Sequence, residues 1–296
     1  MSGPLVLAVP VFNCERFLSD TLASLTANGP RVRWWLQDGA STDRTMEIAR
    51  RFARSGDTVA SAPDGGQADA LNIAMTRMGG EIIGFLNGDD LLADHAAERV
   101  LEFFAEHPDT DLVYGSVDWI DENGALTGTH TGRIESLADV LDIYGVWWRR
   151  RQWVQPEVFF RRSLWEKVGG FDPAYHLAFD YDFWVRCFRA GVRVAHLPAT
   201  LTRFRVHDAQ KSAAAGRAAD EIRTIVQKNL ATRPPINPAR RWKIEAQLSY
   251  DLYQSGATGQ TGGFPVNLLR HPQWLLSPEA WERTRAACAR LFRRGR

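Results

Sequence analysis

Apolar and polar positions along the chain fall into two alternating patterns. Leu5-Val6-Leu7-Ala8-Val9 is an unbroken apolar run, which predicts a strand buried on both faces, and Phe17, Leu18, Leu22 and Leu25 then recur at helical spacing. The same pair of signals returns. Val32 to Leu36 reads as a second strand, and the turn from Gln37 to Asp43 offers Thr42 or Asp43 as the cap of a helix running through Phe52. Leu71, Met75 and Met78 mark a third helix, opened by the segment Asp64 to Asn72, and Glu81 to Leu86 supplies another apolar strand. A helix over 94–106 carries Ala97, Val100, Leu101 and Phe104 on one face, a strand follows at 111–115, and Asp121-Glu122-Asn123-Gly124 makes a hairpin-like turn.

The first 115 residues therefore predict a doubly wound α/β sheet, and the following 90 predict short strands and loops. Within the latter, a short helix over 163–168 is closed by glycine, and a helix over 180–190 buries Phe183, Trp184, Cys187 and Phe188 before Gly191 and a strand at 193–197. Beyond residue 213 only helices are legible, over 217–230 and through Trp242, Ile244, Leu248 and Leu252, with a Gly- and Thr-rich linker at 256–263. This divides the chain into 1–212, with halves 1–115 and 116–212, and a helical extension over 213–296.

The strand at Glu81 to Leu86 runs into Asn87-Gly88-Asp89-Asp90. Two adjacent carboxylates repel each other, and with oxygen ligands and no Cys or His close by in sequence, Mg²⁺ or Mn²⁺ suits them. The plain alternative is a solvated turn capping the next helix. Other polar segments stand at the carboxyl ends of strands or the starts of helices, where open α/β sheets bind ligands and backbone N–H groups suit a diphosphate.

Five stretches, Pro10 to Asn13, Asp38 to Thr45, Asp64 to Asn72, Asn87 to Asp90 and Phe179 to Arg186, resemble in order and spacing the family 2 inverting glycosyltransferases, over roughly residues 4–212. The resemblance implies the GT-A fold, a Rossmann-like nucleotide-diphospho-sugar transferase fold, here with a helical C-terminal appendage. It also implies roles. Pro10, Phe12 and Glu15 would line the nucleoside pocket, Asp38 would bond the base, and Asp64, Gln67, Asn72 and Asn87 would face the donor. Asp89 and Asp90 match the family's metal-binding Asp-X-Asp motif, with Asn87 in place of its first Asp. Asp180 matches the catalytic base, preceded by Phe179 where a Glu is usual; the alternative is a helix N-cap. Gln155 and Glu157 would touch acceptor hydroxyls, with Asp182 beside them, or be solvated edge residues. The segment from Phe204 to Ser212 looks like the one that closes the family's site, so that Arg205 or Lys211 would meet the donor phosphates and His207 would be a third metal ligand, unless these are simply solvated. Trp147, Trp148 and Trp153 beside Arg149, Arg150 and Arg151 allow either an acceptor-gripping cluster, with Trp153 on the sugar, or a loop whose aromatics fold back on the sheet.

Composition narrows the picture. The chain has 296 residues, 45% apolar, enough for one large domain plus an appendage, and its formal charge of +1 speaks against nucleic acid as partner. Cys14, Cys187 and Cys288 are too scattered for a disulfide framework or zinc site, so a cytoplasmic location is expected. Neither a signal peptide nor a run of roughly 18 apolar residues is visible. Near the end, Trp274-Leu275-Leu276 and Trp281 through Phe292 alternate with Arg283, Arg285, Arg290, Arg293, Arg294 and Arg296, a mixture that suits either a helix on an anionic membrane or one packed on the domain.

The expected activity is inverting transfer of a sugar from a nucleotide-diphosphate donor, UDP-linked on family grounds, to a hydroxyl of a glycan or lipid-linked saccharide. A sugar nucleotidyltransferase is the rival enzyme, but Pro10-Val11-Phe12-Asn13 lacks the Gly-rich basic loop it needs. A decayed nucleotide-sugar-binding protein is the non-enzymatic rival, to which Asn87 and Phe179 would point.

Overall fold

The computed structural model describes residues 3–147, 149–208, 210, 215–254, 264–276, 280–282 and 284–285. Trp148, Lys211, the linker at 256–263 and Arg283, together with the arginine-rich end of the chain from residue 286, lie outside these residues.

β1 (Leu5–Val11), β2 (Val32–Asp38), β3 (Thr58–Ser61) and β4 (Ile82–Phe85) run parallel and alternate with α1 (Leu18–Ala27), α2 (Thr45–Phe52) and α3 (Gln67–Arg77). The chain continues through β5 (Leu91–Leu92), α4 (Ala96–Glu106), the hairpin of β6 (Leu112–Ile120) and β7 (Leu126–Thr131), α5 (Leu137–Leu141), β8 (Val158–Arg161), α6 (Arg162–Val168), α7 (Phe179–Arg189) and β9 (Val194–Arg205). Among the described residues these strands form one mixed sheet in the order β3-β2-β1-β4-β8-β6-β9-β5, with β7 on β6. β8 enters antiparallel between β4 and β6, so the parallel, doubly wound character of the first half does not extend across the sheet. β1 is apolar throughout and pairs on both edges, with β2 and β4. Leu5, Leu7 and Val9 pack with Leu18, Leu22 and Leu25 of α1 and with Val100, Leu101 and Phe104 of α4 in one core, each such buried side chain contributing about 1.5–3 kcal/mol.

β3 and β9 differ from the sequence reading, as do the short β5, which it lacks, and β6, which extends past 115 to Ile120. β3 has a single strongly apolar residue, Val59, and forms because the free edge of β2 offers it a ladder from Trp35 to Asp38. β9 runs well past the expected Leu197. Its pairing with β6 shifts register around Gly115, so that Tyr114 faces His196 while Ser116 faces Thr200, and Pro198 falls in the resulting bulge, where its missing N–H costs no ladder bond. Gly115 permits the close approach: a Cβ there would lie 2.7 Å from the Ala199 carbonyl oxygen and 2.5 Å from Leu201 Cγ.

The chain divides into two compact units, residues 1–135 with 151–222, and residues 136–150 with 223–296. The boundary thus differs from the expected break at 212, because α5 and the π-helical turn Ile143–Trp147 belong with the helical unit. Their apolar residues Leu137, Val140, Leu141, Ile143 and Val146 are buried, and Asp139 of α5 pairs with Arg240 of α9 (Pro238–Gln254). In the same unit Tyr250, Trp274 and Ala280 form a small core, with the Trp274 indole N–H donating to Ser249 Oγ at 3.1 Å. No helix among the described residues is long and apolar enough to cross a membrane.

Candidate active site

The loops that leave β1 and β2 are braced to each other. Asn13, at φ 50°, donates its N–H to Ser41 Oγ (2.8 Å) and accepts from the Thr42 N–H (3.0 Å), and the Cys14 N–H reaches Thr45 Oγ1 at 2.8 Å. Asp43 accepts from the N–H groups of Thr45 (2.9 Å) and Glu15 (3.0 Å), so one carboxylate holds both the start of α2 and the opposite loop. Glu15 in turn accepts from the Arg44 N–H and pairs with its guanidinium, while Pro10 is buried within β1. Of the three expected nucleoside contacts, Phe12 presents an apolar ring, 62% exposed, at the end of the strand, while Glu15, also exposed, is engaged by Arg44.

Asp38 is a correction. It is fully buried, and its oxygens accept from Ser41 N–H, Ser41 Oγ and Ser61 Oγ, so it fixes the β2 turn and β3 instead of facing a base. The start of α3 also differs from the open anion nest expected of it. Asp64 accepts from the Gly66 N–H (2.8 Å) and Asp69 from the Gly65 N–H (2.9 Å). Asn72, expected on the donor, bonds both backbone groups of Phe171, donating to its carbonyl and accepting from its N–H at 2.8 Å each.

At the acidic turn the two aspartates part. Asp90 is buried, accepting from the Arg205 N–H (3.1 Å) and from Asn87 Nδ2 (3.0 Å); burial, reinforced by the charge of Asp89, pushes its carboxyl well above the usual carboxylate range. Asp89 remains partly exposed, and its Oδ2 lies 3.0 Å from Nε2 of His207, 118 residues away in sequence. Arg205 is buried beneath them. Its guanidinium donates to the carbonyls of Asp89 (3.1 Å) and Glu122 (3.0 Å), pairs with Asp20 at 2.9 Å and lies over the Phe17 ring, which leaves it no reach toward donor phosphates. Asn87 sits in a chain of amides, accepting from Gln67 Nε2 (2.8 Å) and donating to Gln155 Oε1 (3.1 Å), while Gln155 Nε2 donates to the Phe85 carbonyl.

Among the described residues no three acidic, His or Cys side chains meet as a metal cluster, so the expected set of Asp89, Asp90 and His207 is corrected to two. Asp89 and His207 nevertheless fit a divalent ion. They offer one oxygen and one nitrogen side by side, and His207 Nδ1 is buried with no hydrogen-bond partner. Mg²⁺ and Mn²⁺ commonly take few protein ligands and complete their shell with phosphate oxygens and water.

On the acceptor side, Asp180 stands in the first turn of α7, partly exposed, its Oδ1 2.7 Å from the Tyr181 N–H. Ala178 is the N-cap, so capping is not what places an Asp at 180. Phe179 packs edge-on against Phe171 and near Phe85, a core position that a Glu would leave buried and unpaired. Three expected acceptor contacts are corrected. Asp182 is buried and pairs at 2.7 Å with Arg186, which also ties down the carbonyls of Val168, Gly169 and Gly170. Trp153 is buried against Trp184, Phe188 and Tyr114. Glu157 is fully buried and accepts from the Val154 N–H at 3.1 Å.

Burial raises the Glu157 carboxyl well above its usual range, against the N–H groups of Val154 and Gly132, which favour the charged form. Because its pKa is higher folded than unfolded, this carboxyl costs stability increasingly as pH rises from about 4 through its folded value. Glu157→Gln keeps an acceptor for Val154 and removes the charge. The variant is expected to gain in melting temperature relative to the parent between pH 5 and pH 8; an offset that stays flat across that range would show that Glu157 does not titrate in this way.

The model of the Glycosyl transferase family 2 matches residues 6–178. The chain belongs to this family. A PGL/p-HBAD biosynthesis glycosyltransferase of Mycobacterium bovis is 32% identical over 213 residues, 69% of this chain and 75% of that protein. The O-antigen biosynthesis protein RfbC of Myxococcus xanthus is 28% identical over 206 residues, 67% of this chain and 16% of its own length. In structure, S. aureus TarS 1-349 in complex with UDP-GlcNAc superposes with a TM-score of 0.62 at 17% identity, over 93% of this chain and 82% of the other. The mannosyltransferase PcManGT from Pyrobaculum calidifontis, in complex with GDP-Man and Mn²⁺, gives 0.58 at 19% identity, over 96% and 84%. These neighbours establish the GT-A fold, and the family match sets the nucleotidyltransferase reading aside.

Several residues that build this glycosyltransferase's site carry no local signal. Asp20 and Glu122, which hold Arg205, lie 185 and 83 residues from it in sequence. Among the described residues Glu221 accepts from backbone N–H groups, and a backbone partner leaves no trace in side-chain pattern.

Proposed function

We propose that this glycosyltransferase moves a sugar from a UDP-linked donor to a hydroxyl of a glycan or lipid-linked saccharide, with inversion. The observation that carries the reading is the meeting of Asp89 and His207 at the carboxyl end of the sheet, in a chain that also places an exposed ring, Phe12, after β1 and a partly exposed carboxylate, Asp180, at the head of α7. TarS with UDP-GlcNAc supports UDP as the nucleotide, and a relative named for O-antigen biosynthesis supports an acceptor in cell-envelope glycan synthesis. A cytoplasmic site of action belongs to the same reading.

Phe12 stacks on the nucleoside base. Asp89 and His207 would hold a divalent cation, which would neutralise the charge that grows on the leaving diphosphate. Asp180 accepts the proton of the acceptor hydroxyl as its oxygen bonds to the anomeric carbon from the face opposite the nucleotide. The bond from that carbon to the diphosphate oxygen breaks, and its electron pair leaves with the diphosphate. Gln155, anchored between Asn87 and the Phe85 carbonyl, is the remaining acceptor contact of those expected from sequence.

Calorimetry with UDP-, GDP- and dTDP-sugars in Mn²⁺ and in EDTA tests the donor and metal together. A UDP-sugar is expected to bind best, and about tenfold or more tighter with metal, since an unneutralised diphosphate beside Asp89 is repelled. Equal affinity in EDTA would overturn the metal role, and tighter GDP- or dTDP-sugar binding the nucleotide. Anomeric analysis of the product decides inversion.

A further inference from the structure

We propose that Glu221 is the positioning residue for Asp180, an inference that rests on Asp180 being the base. Glu221 lies on α8 (Ala215–Ala231), in the part of that helix that belongs to the catalytic unit. Its carboxylate accepts from three consecutive backbone N–H groups: His176 at 3.1 Å on one oxygen, and Leu177 at 2.9 Å and Ala178 at 2.8 Å on the other. Ala178 is the N-cap of α7 and has no side chain with which to cap. A remote anion therefore does what a local Ser or Asp does elsewhere, satisfying donors at the head of the helix where the dipole favours negative charge.

The segment from Gly169 to Ala178 carries no helix or strand of its own and depends on side chains for its path. Arg186 holds its entry at Gly169 and Gly170, Asn72 holds both backbone groups of Phe171, and Glu221 holds its exit, two residues before Asp180. Entry and middle are fixed from α7 and α3, which are packed into the sheet domain. The exit, nearest the reacting carboxylate, is fixed by Glu221 from α8, which like α7 lies beyond residue 178, where the family match ends. Displacements of about 1 Å in a catalytic group cost up to about 10²-fold in rate, so a clamp at this point acts on turnover with no contact to substrate. Donor binding, which lies with Phe12, Asp89 and His207, does not pass through it.

The test compares Glu221→Ala, Glu221→Gln and Asp180→Asn in the full chain, reading UDP release from the tightest-binding UDP-sugar in Mn²⁺ and donor Kd by calorimetry. Glu221→Ala is expected to lose about 10- to 100-fold in kcat with donor Kd within about twofold. Glu221→Gln keeps one oxygen, enough for Leu177 and Ala178, and is expected to retain most of the activity; this also keeps the test decisive should the Ala variant fail to fold. Hydrogen exchange at residues 176–180 is expected to rise in the Ala variant and stay near wild type in the Gln variant. Wild-type kcat in Glu221→Ala alongside an inactive Asp180→Asn would overturn the positioning role alone. An active Asp180→Asn would overturn the reading beneath it, and a parallel loss of donor affinity in Glu221→Ala would show a general structural role instead.

Discussion

Asp180→Asn is expected to lower turnover on the order of 10²–10⁴-fold while leaving donor Kd within about twofold. Asn has the shape of Asp, and its carbonyl oxygen can still accept from the Tyr181 N–H. It cannot take a proton from an acceptor hydroxyl. The helix does not rely on this carboxylate alone, since Ala178 is its N-cap and Glu221 takes the N–H groups before it, and the variant loses the dipole contribution of a first-turn acid, about 0.3–1 kcal/mol. Asp182→Asn is the contrast. Its carboxylate is buried and paired with Arg186, so its loss should appear as a lower melting temperature with kcat little changed. An active Asp180→Asn enzyme, or one silent only because donor no longer binds, would remove Asp180 as the base.

Asn87→Asp restores the residue usual in the family's acidic motif, and it is expected to destabilise the protein without strengthening Mn²⁺ binding. Asn87 Nδ2 donates to Asp90 Oδ2 and to Gln155 Oε1 at 3.0 and 3.1 Å, two acceptors that a carboxylate would confront with a third oxygen in place of the donor. The cost should be about 1–3 kcal/mol at pH 8. A carboxyl forced against Asp90 has a folded pKa above its unfolded value, so the deficit is largest above that value and shrinks as pH falls toward about 4. Urea denaturation of both proteins at pH 5 and pH 8, with Mn²⁺ titrations, checks this. A variant as stable as the parent at pH 8 and tighter for Mn²⁺ would mean that residue 87 faces the ion after all.

The same substitution shows how far the sequence could be read. Apart from the short β3 and β5, the order of strands and helices through β6 and the acidic turn are legible because apolar runs and helical periods are local signals. The roles of side chains within the turn are not. Asp89 and Asp90 are neighbours of one type, and only the fold shows that one meets His207 and the other is sealed under Arg205. Asp38, Arg205 and Glu157 match or flank family motifs, yet each has its partners supplied by the protein, which pattern cannot reveal. Trp153 was ambiguous for a related reason: an aromatic next to arginines reads alike whether it faces a sugar or, as here, stacks in the core on Trp184 and Phe188. Asn87 and Phe179, which in the sequence resemble losses of function, are in the structure a hydrogen-bond donor between two acceptors and a member of an aromatic core.

The bulge opposite Gly115 has a consequence for how this chain can change over evolutionary time. Arg205 and His207 are delivered to the acidic turn by residues counted off along β9 from the end of that irregular pairing, where Val117 faces Thr202 and Ile120 faces Arg205. Each added or lost residue in a strand exchanges its two faces, so a one-codon insertion or deletion between Leu201 and Phe204 would turn the Arg205 side chain away from Asp89 and send the His207 loop out of phase. Substitutions in this stretch alter one contact at a time, whereas a change of length severs the link at once. Lineages descended from this protein should therefore drift freely in the length of the loops between helices, and keep the count from Thr202 to His207 constant.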